Sequence, residues 1–308
     1  MIAILKIFRW PNLAVVVLMQ WLLYHHFIAK AFAQHDIPLV LGKNMALLFM
    51  IVTALITAGG YVINDLTDSA VDAVNRPNRV IVGRQLSVSA VKWLYFFSVA
   101  SGYVVALYIA FRLGEPGLII FYLIFVAGLY IYSRQLKRKP FIGNLWVAVY
   151  CAGAAGMLWF AERASYAALT KTAPQTAAAL QSILLFFMAF AFLSTLFREI
   201  IKDLQDEPGD RQYGYRTAPV VWGMAFAKKA AFAIALLLAL LMICAVFGLR
   251  AQWLSTWSPI WLGGVLALLL SSCILLTKAA TPKAFRTLSL LIKAMMLGGI
   301  LWLLFLQI

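Results

Sequence analysis

The chain has 308 residues and a net charge of +15, from 26 Lys and Arg against 11 Asp and Glu, yet only 12% of it is charged. At 64% hydrophobic residues and a mean hydropathy of +0.90, it is excluded from the water-soluble globular class. The basic surplus belongs to membrane topology and anionic lipid rather than to nucleic acid.

In chain order, nine apolar stretches are long enough to cross a bilayer: 11–32, 44–63, 93–111, 117–132, 142–160, 179–197, 230–249, 259–277 and 288–306. The fourth is the shortest. Backbone groups in lipid must be satisfied internally, so each stretch is a helix and the fold class is an all-α, polytopic membrane bundle. No polar segment or compositional break divides it, so residues 1–308 read as one domain. Within the first stretch, Lys6 and Arg9, an apolar run and then Ala31-Phe32-Ala33 mimic a cleaved secretory signal. His25, His26 and Lys30 make the polar part before that site too long, so the segment is expected to remain as the first span. Those histidines, with His35, suit interfacial hydrogen bonding. Cys151, Cys244 and Cys273 lie at or within apolar helices and offer neither a disulfide framework nor zinc-type spacing.

Counting the N-terminus and every second loop as one side, that side holds 20 of the 26 Lys and Arg. The other holds Lys30, Lys43, Arg112, Arg163, Lys171 and Arg250. The positive-inside rule makes the first side cytoplasmic and puts the C-terminus outside, which an even number of spans would not allow. An integral protein of the inner (cell) membrane with a cytoplasmic working face is expected.

That face carries most of the acid. Asn64-Asp65-Leu66-Thr67-Asp68-Ser69-Ala70-Val71-Asp72 and Asp203-Leu204-Gln205-Asp206-Glu207-Pro208-Gly209-Asp210 each place aspartates at i, i+3 and i+7. With Glu199 they account for eight of the 11 acids. Asn64, Asp68 and Asp72 recur on one face, and Asp65 starts a face turned by about 100°. Pro208-Gly209 interrupts the second segment, so Asp210 is expected on a turn. Carboxylates at the ends of apolar helices need a cation between them. Hard oxygen donors without His or Cys favour Mg²⁺, which binds one or two carboxylates together with substrate phosphates. Asn64, Asp65, Asp68, Asp72, Asp203, Asp206 and Asp210 are the candidate metal ligands, for two ions. The competing role, helix caps or pairs with residues such as Lys202, stands for either cluster alone and weakens for two clusters of matched spacing.

Basic residues suited to phosphate oxygens flank both clusters: Arg76, Arg79 and Arg84 after the first, and Lys202, Arg211 and Arg216 around the second. Lys137 and Arg138 close the fourth span, and Tyr130 and Tyr132 offer ring faces to a cation. Any one of these charges alone reads as a solvated loop residue.

Asn64-Asp65-x-x-Asp68-x-x-x-Asp72, Asn75-Arg76-Pro77, the later Asp203-x-x-Asp206-x-x-x-Asp210 and the opening Arg9-Trp10-Pro11-Asn12 together resemble the UbiA superfamily of intramembrane prenyltransferases. The second acidic run and Asn75-Arg76-Pro77 are most similar to its digeranylgeranylglyceryl phosphate synthase branch. Val80-Ile81-Val82-Gly83 and Ala218 depart from that branch's usual residues and bear on the acceptor. The resemblance implies nine spans and Mg²⁺-dependent transfer of an isoprenyl group, geranylgeranyl in that branch, from its diphosphate to a lipid acceptor. An allylic carbocation is the intermediate. It implies catalytic roles for Asn64, Asp68, Asp72, Asp206, Asp210, Tyr132 and Lys137. It implies substrate contacts for Asn12, Arg76, Arg79, Arg84, Arg138, Lys202 and Arg211. An aromatic or quinone-precursor acceptor is the alternative within the superfamily. Outside it, a transporter would place carboxylates at membrane depth but has no need of two Mg-suited motifs on one face, and no inverted repeat is visible.

Overall fold

A computed structural model describes residues 2–248 and 254–307, apart from the side chain of Arg79. Leu249 and Arg250, expected at the end of the seventh span and on the outer side, and Ile308 lie outside the described residues. Nine helical segments among the described residues are long and apolar enough to cross a membrane, as the sequence predicts. The protein is an integral, all-α membrane protein.

Short α1 (Ile2–Ile7) precedes the first span, in which α2 (Trp10–Trp21), a π-helical turn (Leu22–Ile28) and α3 (Ala29–Ala33) run on as one rod. Then come α4 (Gly42–Asn75), α5 (Val88–Leu113), α6 (Gly117–Arg134), α7 (Ile142–Ala161), short α8 (Arg163–Thr172), α9 (Pro174–Gln212), α10 (Ala218–Gly248), α11 (Trp257–Lys278) and α12 (Pro282–Leu301). Their ends follow local chemistry. Ser87 caps α5 by accepting from the Ala90 N–H, and Gly114 closes it in the left-handed conformation. Thr281 caps α12, with Pro282 at its first position. Helix α4 stops at Asn75 because Arg76 precedes Pro77 and is held out of the helical region, at φ −147°.

Two helices exceed the expected lengths. Helix α4 has 34 residues and α9 has 39, and each continues beyond its apolar stretch to carry its acidic cluster as an unbroken helix. Pro208 does not interrupt α9, so Asp210 lies on the helix and is buried. That corrects the expected turn. The gap in the backbone ladder is bridged from outside: Asn75 accepts from the Gly209 N–H at 2.9 Å and donates to the Asp206 carbonyl at 3.0 Å. A Cβ on Gly209 would meet the Asn75 amide at 2.5–2.6 Å, so glycine is what lets the two helix ends close. Side-chain packing rather than hydrophobic force joins helices in lipid. Phe186 and Phe187 of α9 pack on Trp302, just past α12, with ring centroids 4.9 and 6.0 Å apart.

Candidate active site

The C-terminal ends of α4 and α9 face each other across a small polar chamber of about 90 Å³. Its walls carry Asn64, Asp68 and Asp72 from one helix and Glu199, Lys202, Asp203, Asp206 and Asp210 from the other. The i, i+4 repeat does this: side chains four apart share a helix face, and two such faces make opposing walls. Arg76, Lys137 and Tyr132 complete the wall, with Arg9 at its edge.

Five of the chamber's six carboxylates have a side-chain partner among the described residues. Lys137 Nζ lies 2.6 Å from Asp68, 2.7 Å from the Thr67 hydroxyl and 3.4 Å from Asn64 Oδ1. Arg76 pairs with Asp206. Asn144 donates to Asp203 at 2.9 Å, Thr217 to Asp210 at 3.1 Å, and the Tyr215 hydroxyl to Asp68 at 3.2 Å. Burial pushes the Tyr215 hydroxyl up to about 12, and the Asp68 charge adds to the effect. For Arg76, burial works against the charge but Asp206 outweighs it, so the guanidinium titrates above its usual value. Arg9 behaves in the same way against Asp65 and Tyr61.

Asp65 does not line the chamber. It is turned towards Arg9, 2.6 Å away, and Arg9 also covers the Tyr61 ring at 4.8 Å. Its place one residue off the Asn64–Asp68 face removes it from the candidate ligands and makes it an anchor for Arg9. Three expected phosphate contacts also lie elsewhere. Arg211 pairs with Glu207 and leaves 62% of its side chain exposed. Arg84 is exposed and donates to the Pro77 carbonyl. Arg138 covers the outer side of the Tyr215 ring at 4.8 Å, one residue beyond Lys137. All three sit on turns or on outward helix faces, where charge spacing alone cannot separate them from wall residues. The side chain of Arg79 lies outside what is described. Tyr130 is exposed beneath Arg134, whereas Tyr132 faces inward.

Behind the polar chamber opens an apolar cavity of about 330 Å³. Phe49, Val52, Ile56, Leu118, Phe125 and Met157 are among its walls. Arg9, Asn64, Tyr132, Glu199 and Lys202 border both spaces, so the two adjoin. Asn12 lines the apolar side, donating to Tyr61 and accepting from Lys293 at 3.3 Å each. Sequence reasoning missed Tyr215, Thr217, Arg198 and Lys293. The last two sit among apolar residues in α9 and α12, which was a usable signal for an inward charge.

The donor set fits a hard divalent cation. All candidate ligands are carboxylate or amide oxygens, from two helices, facing one small polar space. Among the described residues no three His, Cys, Asp or Glu converge into a ready-made cage. Mg²⁺ commonly takes one or two carboxylates and completes its shell with substrate phosphate and water.

Fold and site define an intramembrane helical bundle whose acid-lined chamber adjoins a cavity for a long apolar group. Residues 10–305 match the UbiA prenyltransferase family, and the chain belongs to it. It is 33% identical over 201 residues to the digeranylgeranylglyceryl phosphate synthase of Thermococcus sibiricus, a match covering 60% of this chain and 58% of that one. To that of Methanopyrus kandleri it is 36% identical over 198 residues, 64% of this chain and 65% of the other. These matches span about three-fifths of the relatives' length. Among solved structures, a digeranylgeranylglyceryl phosphate synthase superposes with a TM-score of 0.62 at 20% identity, over 98% of this chain and 96% of that one. A UbiA homologue from Archaeoglobus fulgidus, bound to GPP and Mg²⁺, superposes with a TM-score of 0.57 at 16% identity, over 98% and 99%.

Proposed function

We propose that this chain is a Mg²⁺-dependent prenyltransferase of the cell membrane. It moves a geranylgeranyl group from its diphosphate to a lipid acceptor such as geranylgeranylglyceryl phosphate, with the chamber at the cytoplasmic face and the whole chain acting as one catalytic unit. The observation that carries the reading is the junction of an acid-walled polar chamber with an apolar cavity. A diphosphate with a long isoprenoid tail has the matching division of charge. The names of the two archaeal relatives support the acceptor, and the ligands of the Archaeoglobus homologue support the donor class.

Asn64, Asp68 and Asp72 on one wall and Asp203, Asp206 and Asp210 on the other would hold one metal ion each. Bound there, Mg²⁺ would neutralise diphosphate charge and supply Lewis acidity. Arg76 and Lys137, released from Asp206 and Asp68, turn to the diphosphate oxygens. The bond between the allylic carbon and the diphosphate oxygen breaks, and its electron pair leaves with the diphosphate. Tyr132, at the junction, presents its ring to the allylic cation. The acceptor hydroxyl then forms a carbon–oxygen bond to that carbon, and its proton passes to the released diphosphate. The apolar walls keep water from the cation and supply tail affinity by burial.

The test is a transfer assay on purified protein with labelled geranylgeranyl diphosphate and a panel of glyceryl phosphate lipids and aromatic acids. Transfer to the glyceryl phosphate lipid is expected. Transfer only to the aromatic acids would replace the acceptor, and transfer to none would remove the assignment.

A further inference from the structure

Charge is unevenly divided between the two spaces. The polar chamber has six acids on its walls, Asp68, Asp72, Glu199, Asp203, Asp206 and Asp210, against Arg9, Arg76, Lys137 and Lys202. The mouth of the apolar cavity reverses the balance. There Arg9, Arg198, Lys202 and Lys293 stand against Glu199 alone.

That excess is only partly neutralised from elsewhere. Asp65 takes Arg9. Arg198 and Lys202 share Glu199, at 2.9 and 2.7 Å. Lys293 is exposed at the cavity mouth and has the neutral Asn12 oxygen at 3.3 Å, with Arg198, Lys202 and Arg9 as like-charged neighbours and Glu199 as an opposite one. The Arg198 Nε–H is buried with no hydrogen-bond partner. Two cations sharing one carboxylate leave surplus charge beside an apolar wall, and a buried charged donor without a hydrogen bond costs more than an exposed one. An anion entering the cluster would relieve both. Arg198 and Lys202 belong to α9 and Lys293 to α12, so the cluster spans two helices rather than being one helix's charge run.

We infer that Arg198, Lys202 and Lys293 form a second anion site, next to the metal-binding walls and sharing Lys202 with them, which receives the phosphate monoester of the lipid acceptor. The inference rests on the proposed transfer reaction for the word acceptor but not for the binding itself. Two anionic substrates need two sites of different make. The diphosphate suits the acid-rich walls because metal ions come with it. A phosphate monoester without metal suits the base-rich mouth, where direct N–H donors hold it. Placed there, it anchors the acceptor beside Tyr132 and Asn64, which border both spaces. The site also gives a reason for choosing a phosphorylated acceptor over the corresponding alcohol, since the alcohol leaves the cluster unpaired.

The test is equilibrium binding of labelled geranylgeranylglyceryl phosphate to the detergent-purified full chain in EDTA, beside its dephosphorylated alcohol. The ester is expected to bind without metal and at least about tenfold more tightly than the alcohol, a preference of about 1.4 kcal/mol. Lys293→Met and Arg198→Gln should each remove most of that preference. Lys293→Arg, which keeps the charge, should retain it and serves as the control for folding. Equal binding of ester and alcohol, a strict need for Mg²⁺, or unchanged preference in Lys293→Met would overturn the inference. In turnover, the KM for the ester should rise about tenfold in Lys293→Met while that for geranylgeranyl diphosphate stays within about twofold. A matching rise for the diphosphate would assign the cluster to the donor instead. Ester bound but never prenylated would sink the proposed reaction and leave the anion site standing.

Discussion

The polar chamber and the apolar cavity meet at five shared side chains but are built on opposite rules. In the chamber five of the six carboxylates have a side-chain partner among the described residues, and four are held from another helix or turn: Lys137 on Asp68, Arg76 on Asp206, Asn144 on Asp203, Thr217 on Asp210. Moving any one element would leave a charge in a low-dielectric site, so position is tightly specified. In the cavity, Phe49, Val52, Ile56 and Met157 impose shape only. Such walls bind a tail by area and tolerate exchange of one apolar residue for another. The difference predicts that chamber substitutions abolish turnover with little loss of fold, and that cavity substitutions change which substrate is preferred.

The largest effect should come from Asp68→Asn and Asp206→Asn. Each keeps size and hydrogen bonding but removes a charge, so turnover should fall by about 10²-fold or more. Melting temperatures should stay near that of the unaltered protein. Prenyl transfer read beside thermal melting checks this. Near-normal turnover in both variants would return these residues to a capping role.

Next in size is Gly209→Ala, aimed at the clasp that brings the two walls together. The added Cβ falls on the Asn75 amide, so the clasp must open, at about 1–3 kcal/mol. A lower melting temperature is expected together with reduced turnover. Asn75→Ala should reproduce both effects by removing the same two hydrogen bonds. If Asn75→Ala melts normally and turns over normally, the clasp does not set the chamber's geometry.

The smallest effect is expected in the cavity. Val52→Phe narrows it some 12 residues along α4 from Asn64, a distance of roughly 18 Å at the helical rise. The KM for geranylgeranyl diphosphate should rise several-fold with kcat little changed, and shorter isoprenyl diphosphates should be unaffected. Competition between donors of different length checks the outcome. A uniform loss for all donors would show that the cavity does not hold the tail.

Much of this division is legible in the chain alone. The spacing of Asp68 and Asp72, and of Asp206 and Asp210, needs only helical periodicity to place each pair on one face. Hydropathy gives all nine spans. What it cannot give is where α4 and α9 end, because an apolar window closes at the first acids while the helix continues. Pro208 is a breaker by local rules, yet tertiary contacts from Asn75 hold the helix through it. Arg76 and Arg84 look equivalent as flanking cations. Only the folded chain puts one on Asp206 and the other on the Pro77 carbonyl. Tyr215 and Lys293 pair with Asp68 and Asn12 over long sequence separations, so their partners cannot be read from any local pattern.

The most direct measurement is calorimetric titration of geranylgeranyl diphosphate into purified protein, with Mg²⁺ and then with EDTA. The opposed acidic walls predict tight binding with Mg²⁺ and at least about tenfold weaker binding in EDTA, since six carboxylates repel a bare diphosphate. Asp206→Asn should show little response to Mg²⁺. Equal affinity in Mg²⁺ and in EDTA would contradict a metal-bridged diphosphate between α4 and α9.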